Sequence, residues 1–248
     1  MACHEGDGAW RTYPDAVARI EAAVVDDGVD AKALRQAMRD ARAVMSGSTV
    51  LNSIAPFAAN ESALAAADVD LYVSSARADG FLAALEALFD RSATRLRASN
   101  GSLYTPKHAM YESVLSFSKQ DADAYHHEYA KIPGLLKVHN FRATKIQVRA
   151  TAGQALYEYL RLRRVYQVCV VEDEPIDFVQ RHDLTVVQNW FDGDTITSAH
   201  PLCVERRSAT ITRDMSADFV YRIAKYESRG FAVHNPHGHA IATHAPPS

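Results

Sequence analysis

The chain has 248 residues, 48% of them hydrophobic and 23% charged, with a formal charge of −3. That balance suits one large or two small globular domains whose core needs no disulfide or structural metal, and the mild negative charge excludes broad electrostatic attraction to nucleic acid while allowing a local basic patch. Cys3, Cys169 and Cys203 form no CxxC pair, MACHEGDGAW carries no apolar h-region, and no window approaches about eighteen apolar residues; reduced thiols, no signal peptide, no membrane span and an intracellular, cytoplasmic location are therefore expected.

Apolar positions recurring at three and four predict helices over 14–26 (PDAVARIEAAVVD) and 31–43 (AKALRQAMRDARA), with a break at 26–30. Val44 and Met45 form a short apolar run ahead of Gly47, and Ser48 is placed to cap a helix over 49–57. AANESALAAAD reads as an inserted loop or helical turn, 69–73 as a strand, and 76–98 as a helix bent at Asp79-Gly80. SNGSLYTPK is a loop; YESVLSFS fits a strand or a helix edge; 121–130 is ambiguous; 136–141 and 144–149 read as two short strands. GQALYEYLRLRRVY reads as helix, YQVCVVED as a strand and PIDFVQ as a short helix or turn. LTVVQNWF and TITSAH around Asp192-Gly193 predict a hairpin. A helix over 216–228 ends at Gly230, and residues from 234 onward read as a mobile tail. The expected organisation is a single domain over 1–233, with N-terminal helices over 12–43, a core over 44–233 and a flexible tail over 234–248.

Two short motifs carry chemistry. Gly47-Ser48 sits in MSGSTVLNSIA, and Asp68-Val69-Asp70-Leu71 sits in ADVDLYVS. On a strand, side chains at i and i+2 leave the same face, so Asp68 and Asp70 point together while Val69 and Leu71 enter the core. Paired carboxylates repel unless a cation lies between them, and Mg²⁺ favours one or two carboxylates plus phosphate oxygens. Exposed N–H groups at a helix start attract phosphate; Gly47 lets the backbone approach closely, and the Ser48 hydroxyl adds a donor.

The order helix, short strand, Gly-Ser, helix, Asp-x-Asp strand, helix, further strands resembles the nucleotidyltransferase superfamily of polymerase β, poly(A) polymerases, CCA-adding enzymes and small antibiotic- or toxin-type transferases. The resemblance implies an α/β (α+β) fold, a nucleotidyltransferase-like mixed sheet flanked by helices. It implies Mg²⁺ or Mn²⁺ ions held by Asp68 and Asp70, with a third acid on a neighbouring strand. Asp183, opening DLTVVQNWF, is the candidate third ligand, beside Asp68 and Asp70 if the strands pair. Gly47 and Ser48 would position the phosphates of an NTP, and Lys145 would contact a phosphate. The product would be a nucleoside monophosphate joined to a hydroxyl of RNA, protein or a small molecule; the alternative is a catalytically inactive binding or interaction module of the same fold. The nineteen residues between Ser48 and Asp68 must loop out for the site to form.

Lys145-Ile146-Gln147, Asp183-Leu184-Thr185 and Lys225-Tyr226-Glu227-Ser228-Arg229-Gly230-Phe231 resemble a family of uncharacterised proteins of large DNA viruses and some eukaryotic microbes, over most of residues 40–233. That resemblance implies a viral protein, in the host cytoplasm if viral, and bears on fold more than on reaction. Asp192 and Asp194 read as turn residues. Lys137, Arg142, Lys145 and Arg149 read as a solvated face or a stripe for triphosphate or RNA. His234, His237, His239 and His244 lack a nearby Cys and read as a polar segment rather than a zinc site.

Overall fold

The computed structural model describes residues 10–27, 29–57, 68–99, 112–118, 132–151, 154–213, 219–237 and 239, with the backbone alone given for 90–99, 112–118, 142–151, 154–163 and 219. The helices are Pro14–Asp26 (α1), Ala31–Ala41 (α2), Gly47–Ile54 (α3), Ala78–Ser99 (α4), Pro175–Gln180 (α5), Pro201–Glu205 (α6) and Phe219–Ser228 (α7). The strands are Arg11–Thr12 (β1), Val44–Ser46 (β2), Val69–Ser74 (β3), Glu112–Ser118 (β4), Leu135–Thr151 (β5), Gln154–Val171 (β6), Asn189–Phe191 (β7), Ile196–Ser198 (β8), Ser208–Thr210 (β9) and Ala232–His234 (β10). Eight of these form one mixed sheet in the order β1-β8-β7-β2-β3-β6-β5-β4, while β9 and β10 pair in parallel apart from it. Within the large sheet β3 and β6 run parallel and the other neighbours antiparallel. The class is mixed α and β, a mixed sheet flanked by helices, and no described helix is long and apolar enough to cross a membrane.

Strand alternation gives the sheet two different faces. Met45, Val69, Leu71, Val73, Val168 and Val170 leave one face and pack with α1, α2 and α4. Helix α1 starts on Pro14 and buries Ala16, Ile20 and Val24, one turn apart. Helix α2 is capped by Asp30, whose Oδ1 accepts from the Ala33 N–H at 3.1 Å, buries Leu34, Met38 and Ala41, and stops where Arg42 turns left-handed. Val44, Tyr72, Val138, Cys169 and Val171 leave the opposite face and pack with Phe178 and Val179 of α5. A third cluster joins Leu51 of α3 and Phe57 to Val187, Ile211, Ile223, Tyr226 and Phe231.

The structure redraws several elements. GQALYEYLRLRRVY is not a helix: it supplies most of β6, paired with β5 along its length. Its Leu, Glu and Arg residues favour helix in isolation, but the Tyr-x-Tyr alternation and the adjoining Val-Tyr-Gln-Val-Cys-Val-Val run join it to a long partner, and strand preference follows such context. The two short strands over 136–149 are one, β5, with register shifts between Leu135 and Lys137 and between Arg142 and Thr144. The helix after Gly-Ser begins at Gly47 and ends at Ile54, with Ser46 rather than Ser48 in the N-cap position. LTVVQNWF is a 3₁₀ turn, Thr185–Val187, followed by β7. The Asp192-Gly193 hairpin forms as expected, the Asp192 Oδ1 accepting from the Asp194 and Thr195 N–H groups at 2.8 Å each. Order extends past 233: His234 ends β10 and the Asn235 N–H donates to the His239 carbonyl at 2.9 Å. The inserted segment 58–67, the ambiguous stretch 121–130 and His244 lie outside the described residues.

Candidate functional site

The sheet brings the two sequence motifs together. β2 runs antiparallel to β3 with Ser46 opposite Asp70, and the chain then turns at Gly47, φ +76°, into α3. The Asp70 carboxylate lies against that turn. A Cβ on Gly47 would overlap the Asp70 Oδ2 and sit 3.4 Å from its Cγ, so glycine is required here both by the backbone angle and by the acid. Two residues into the helix, the Thr49 hydroxyl donates to the Asp68 carbonyl at 3.0 Å, tying the first turn of α3 to the start of the acid strand.

Asp68 is exposed and Asp70 half-buried. Among the described residues the Asp70 carboxylate accepts no hydrogen bond. Burial, and second the charge of Asp68, push its pKa up to about 7; Lys225 and Arg222 pull the other way. Both cations come from α7, three residues apart and so on neighbouring positions of one helix face. Loss of hydration and the Arg229 charge lower the Lys225 pKa, while Asp70 and Asp68 draw it up. Desolvation is the largest influence on the Arg222 pKa and works to lower it, but Asp183, Tyr226, Tyr72 and Asp70, in that order, together raise it.

Asp183 does not lie on a strand paired with the acid strand: the described neighbours of β3 are β2 and β6. Asp183 precedes the isolated bridge between Leu184 and Ile211, its carbonyl accepts from the Thr212 N–H at 2.9 Å, and its carboxylate pairs with Arg222 at 3.0 Å. The strand that does adjoin the acids presents an amide: Asp70 faces Gln167 of β6, and Gln167 faces Asn140 of β5, with the Gln167 Nε2 donating to the Asn140 Oδ1 at 3.1 Å. The row across the sheet is thus Ser46, Asp70, Gln167, Asn140.

Ser48 lines a small cavity between α1, α3 and β6. Lys145 lies opposite Leu160, five residues along β5 from Asn140, roughly 16 Å by strand rise; its side chain, with those of Arg142 and Arg149, is outside the described residues. Arg222 and Lys225 carried no role in the sequence reading, although RIAK has the spacing of two cations on one helix face. Gln167 was legible only through strand register.

A Mg²⁺ or Mn²⁺ ion fits the acid pair in donor chemistry: Asp68 and Asp70 on one strand face, Asp70 half-buried without a hydrogen-bond donor, and amide oxygens in the adjoining row. Among the described residues no group of three or more His, Cys, Asp and Glu side chains converges in metal-binding range, so two carboxylates are what the chain itself offers there. The same holds for the histidines: His234 is buried in β10, while His237 and His239 are exposed, their N–H groups donating to the Asn235 side chain. Compared with known proteins, the chain matches no family model, no curated protein and no solved structure.

Proposed function

We propose that this chain is a Mg²⁺- or Mn²⁺-dependent nucleotidyltransferase with a nucleotidyltransferase-like sheet, moving a nucleoside monophosphate from an NTP to a hydroxyl acceptor. The observation that carries this reading is the packing of the Asp70 carboxylate against the Gly47 turn, at the start of a helix and beside a second carboxylate. Asp68 and Asp70 would hold the metal, which when bound neutralises triphosphate charge and polarises the reacting phosphate. Gly47 leaves the start of α3 open to a phosphate. Lys225 and Arg222 put positive charge beside the same acids, where a departing pyrophosphate needs it. The acceptor oxygen would bond to the α-phosphorus as the bridge to the β-phosphate breaks. Asp183 acts through Arg222, whose guanidinium it holds, and is a positioning residue in this scheme rather than a metal ligand.

One observation favours a second reading, a nucleotide-binding module without turnover: an amide, Gln167, faces Asp70 where the resemblance places a third acid. Each of the four NTPs, labelled at the α-phosphate, separates the two when offered with Mg²⁺ or Mn²⁺ to wild-type protein and to the Asp68→Ala/Asp70→Ala variant, with and without bulk RNA. Label transfer or pyrophosphate release that disappears in the variant supports the enzyme. NTP binding without turnover, lost in the variant and in Lys225→Ala, supports the module. Neither binding nor turnover by wild type refutes both.

A further inference from the structure

The other side of α3 carries a different site. Ser48 and Asn52, and Thr49 and Ser53, form two pairs one turn apart, and with Arg19 of α1 and Arg164 of β6 they line a cavity of about 40 Å³. Strand alternation sends Arg164 to the helix-covered face, with Tyr166, and Gln167 to the acid face, so the cavity lies across the sheet from Asp70.

Its lining has more positive charge than it uses internally. The Arg19 Nε donates to the Ser53 carbonyl at 2.5 Å, and the Arg164 Nε stands 3.8 Å from the Asp27 Oδ2. The same Asp27 oxygen accepts from the Tyr166 hydroxyl at 2.9 Å. Among the described residues the terminal nitrogens of both guanidiniums have no hydrogen-bond partner, and Arg164 shares the Asp27 carboxylate with the Tyr166 hydroxyl. Ser48 is 6% exposed and lines the cavity, and among the described residues its hydroxyl makes no hydrogen bond. A hydroxyl left free at the cavity wall can donate to an anion, and planar guanidinium forks match tetrahedral oxyanions. We propose that this cavity binds a small tetrahedral oxyanion, phosphate or the terminal phosphate of a monoester, through Arg19, Arg164 and Ser48. The site stands without the nucleotidyl-transfer reading, yet it shares a helix turn with it, because Thr49 lines the cavity and also holds the Asp68 carbonyl.

The test titrates the full chain with inorganic phosphate at constant ionic strength, by calorimetry and by ³¹P line broadening, with chloride as the blank. Saturable binding is expected, weakened about tenfold or more in Arg19→Gln and in Arg164→Gln and unchanged in Asp70→Asn. Ser48→Ala, a small change in a short helix, is expected to weaken binding several-fold with the circular dichroism spectrum retained. No saturable binding by wild type overturns the proposal. So does binding that survives Arg19→Gln and Ser48→Ala, or binding that Asp70→Asn abolishes. Adenosine 5′-monophosphate and adenosine separate the sources: tighter binding of the monophosphate than of phosphate, lost in Arg19→Gln, supports a monoester, and equal or weaker binding supports the free ion. Adenosine binding as tightly as its monophosphate overturns an oxyanion site.

Discussion

Replacing Gly47 by alanine tests the contact on which the candidate site rests. The substitution meets two separate costs. At φ +76° a Cβ crowds the backbone, which costs about 1–2 kcal/mol for an ordinary L residue. The new methyl also overlaps the Asp70 Oδ2 and stands 3.4 Å from Cγ and 3.7 Å from Cβ, so the carboxylate must leave its rotamer, at about 0.5–1.5 kcal/mol. The expected loss is about 2–3 kcal/mol in urea denaturation, read from the midpoint with the slope unchanged. Mn²⁺ binding should fall with it, because the displaced group is a proposed ligand. Gly80→Ala is the matched control. Gly80 sits in the first turn of α4 with nothing within 4 Å of its Cβ position, so alanine should stabilise by up to about 1 kcal/mol through helix propensity alone. A Gly47→Ala protein as stable as wild type, with metal binding intact, would refute the reasoning; so would equal losses at the two glycines.

Three further outcomes follow from charges placed in or beside the core. The folded-state pKa of Asp70, about 7, lies above its ordinary value of 3.8, so the folded protein keeps a proton that the unfolded chain releases. Its contribution is present below about pH 4 and lost as pH rises through about 7, at most about 4 kcal/mol and less for a half-open carboxylate; Asp70→Asn should flatten that part of the stability profile measured from pH 4 to 8, and an unchanged slope contradicts it. Arg222→Ala strands the Asp183 carboxylate, 10% exposed, and should cost about 2–4 kcal/mol in chemical denaturation. Asp183→Asn leaves only an arginine that is 44% exposed and can hydrate, so it should cost about 1 kcal/mol; equal costs would show that the pair is not asymmetric. Tyr166→Phe removes the donor to buried Asp27, whose pKa burial already raises, and should cost about 1–2 kcal/mol at pH 7 and less as pH falls and the acid takes up a proton.

What the sequence shows clearly is local. Helices α1 and α2 follow from apolar residues spaced by three and four, the acid strand from Val-x-Leu alternation, and the hairpin from Asp192-Gly193. The meeting of Gly47 with Asp70 is legible for the same reason: β2 and β3 are near in sequence and pair antiparallel, which places the turn after β2 beside the acid strand. The place of Asp183 is not legible because it depends on which strands pair across more than a hundred residues, and nothing in DLTVVQNWF specifies that its first residues form a 3₁₀ turn outside the main sheet. The first half of β6 fails because leucine, arginine and glutamate favour a helix until a partner strand is supplied. Arg222 and Lys225 share a helix face in the sequence, but that they stand over the acids is a property of how α7 packs through Ile223 and Tyr226.

The amide at Gln167 narrows what the acid pair can do. Mg²⁺ needs one or two carboxylates when phosphate oxygens complete its shell, so Asp68, Asp70 and an NTP form a sufficient set without a third acid. Holding the triphosphate and aligning the leaving pyrophosphate therefore lie within reach of the residues present, with Lys225 and Arg222 adding charge. A third carboxylate contributes at another point, by assisting removal of the proton from the acceptor hydroxyl. An amide cannot accept that proton, and Gln167 is further engaged with Asn140. The nearest alternative acid in sequence expectation, Asp183, is neutralised by Arg222. Donor-side chemistry is thus better provided for than acceptor activation, and the proposed enzyme would favour an acceptor that ionises readily or brings its own base. If no such acceptor is turned over, the second reading, a nucleotide-binding module without turnover, is the one that remains, with assistance to the attacking oxygen as the missing part.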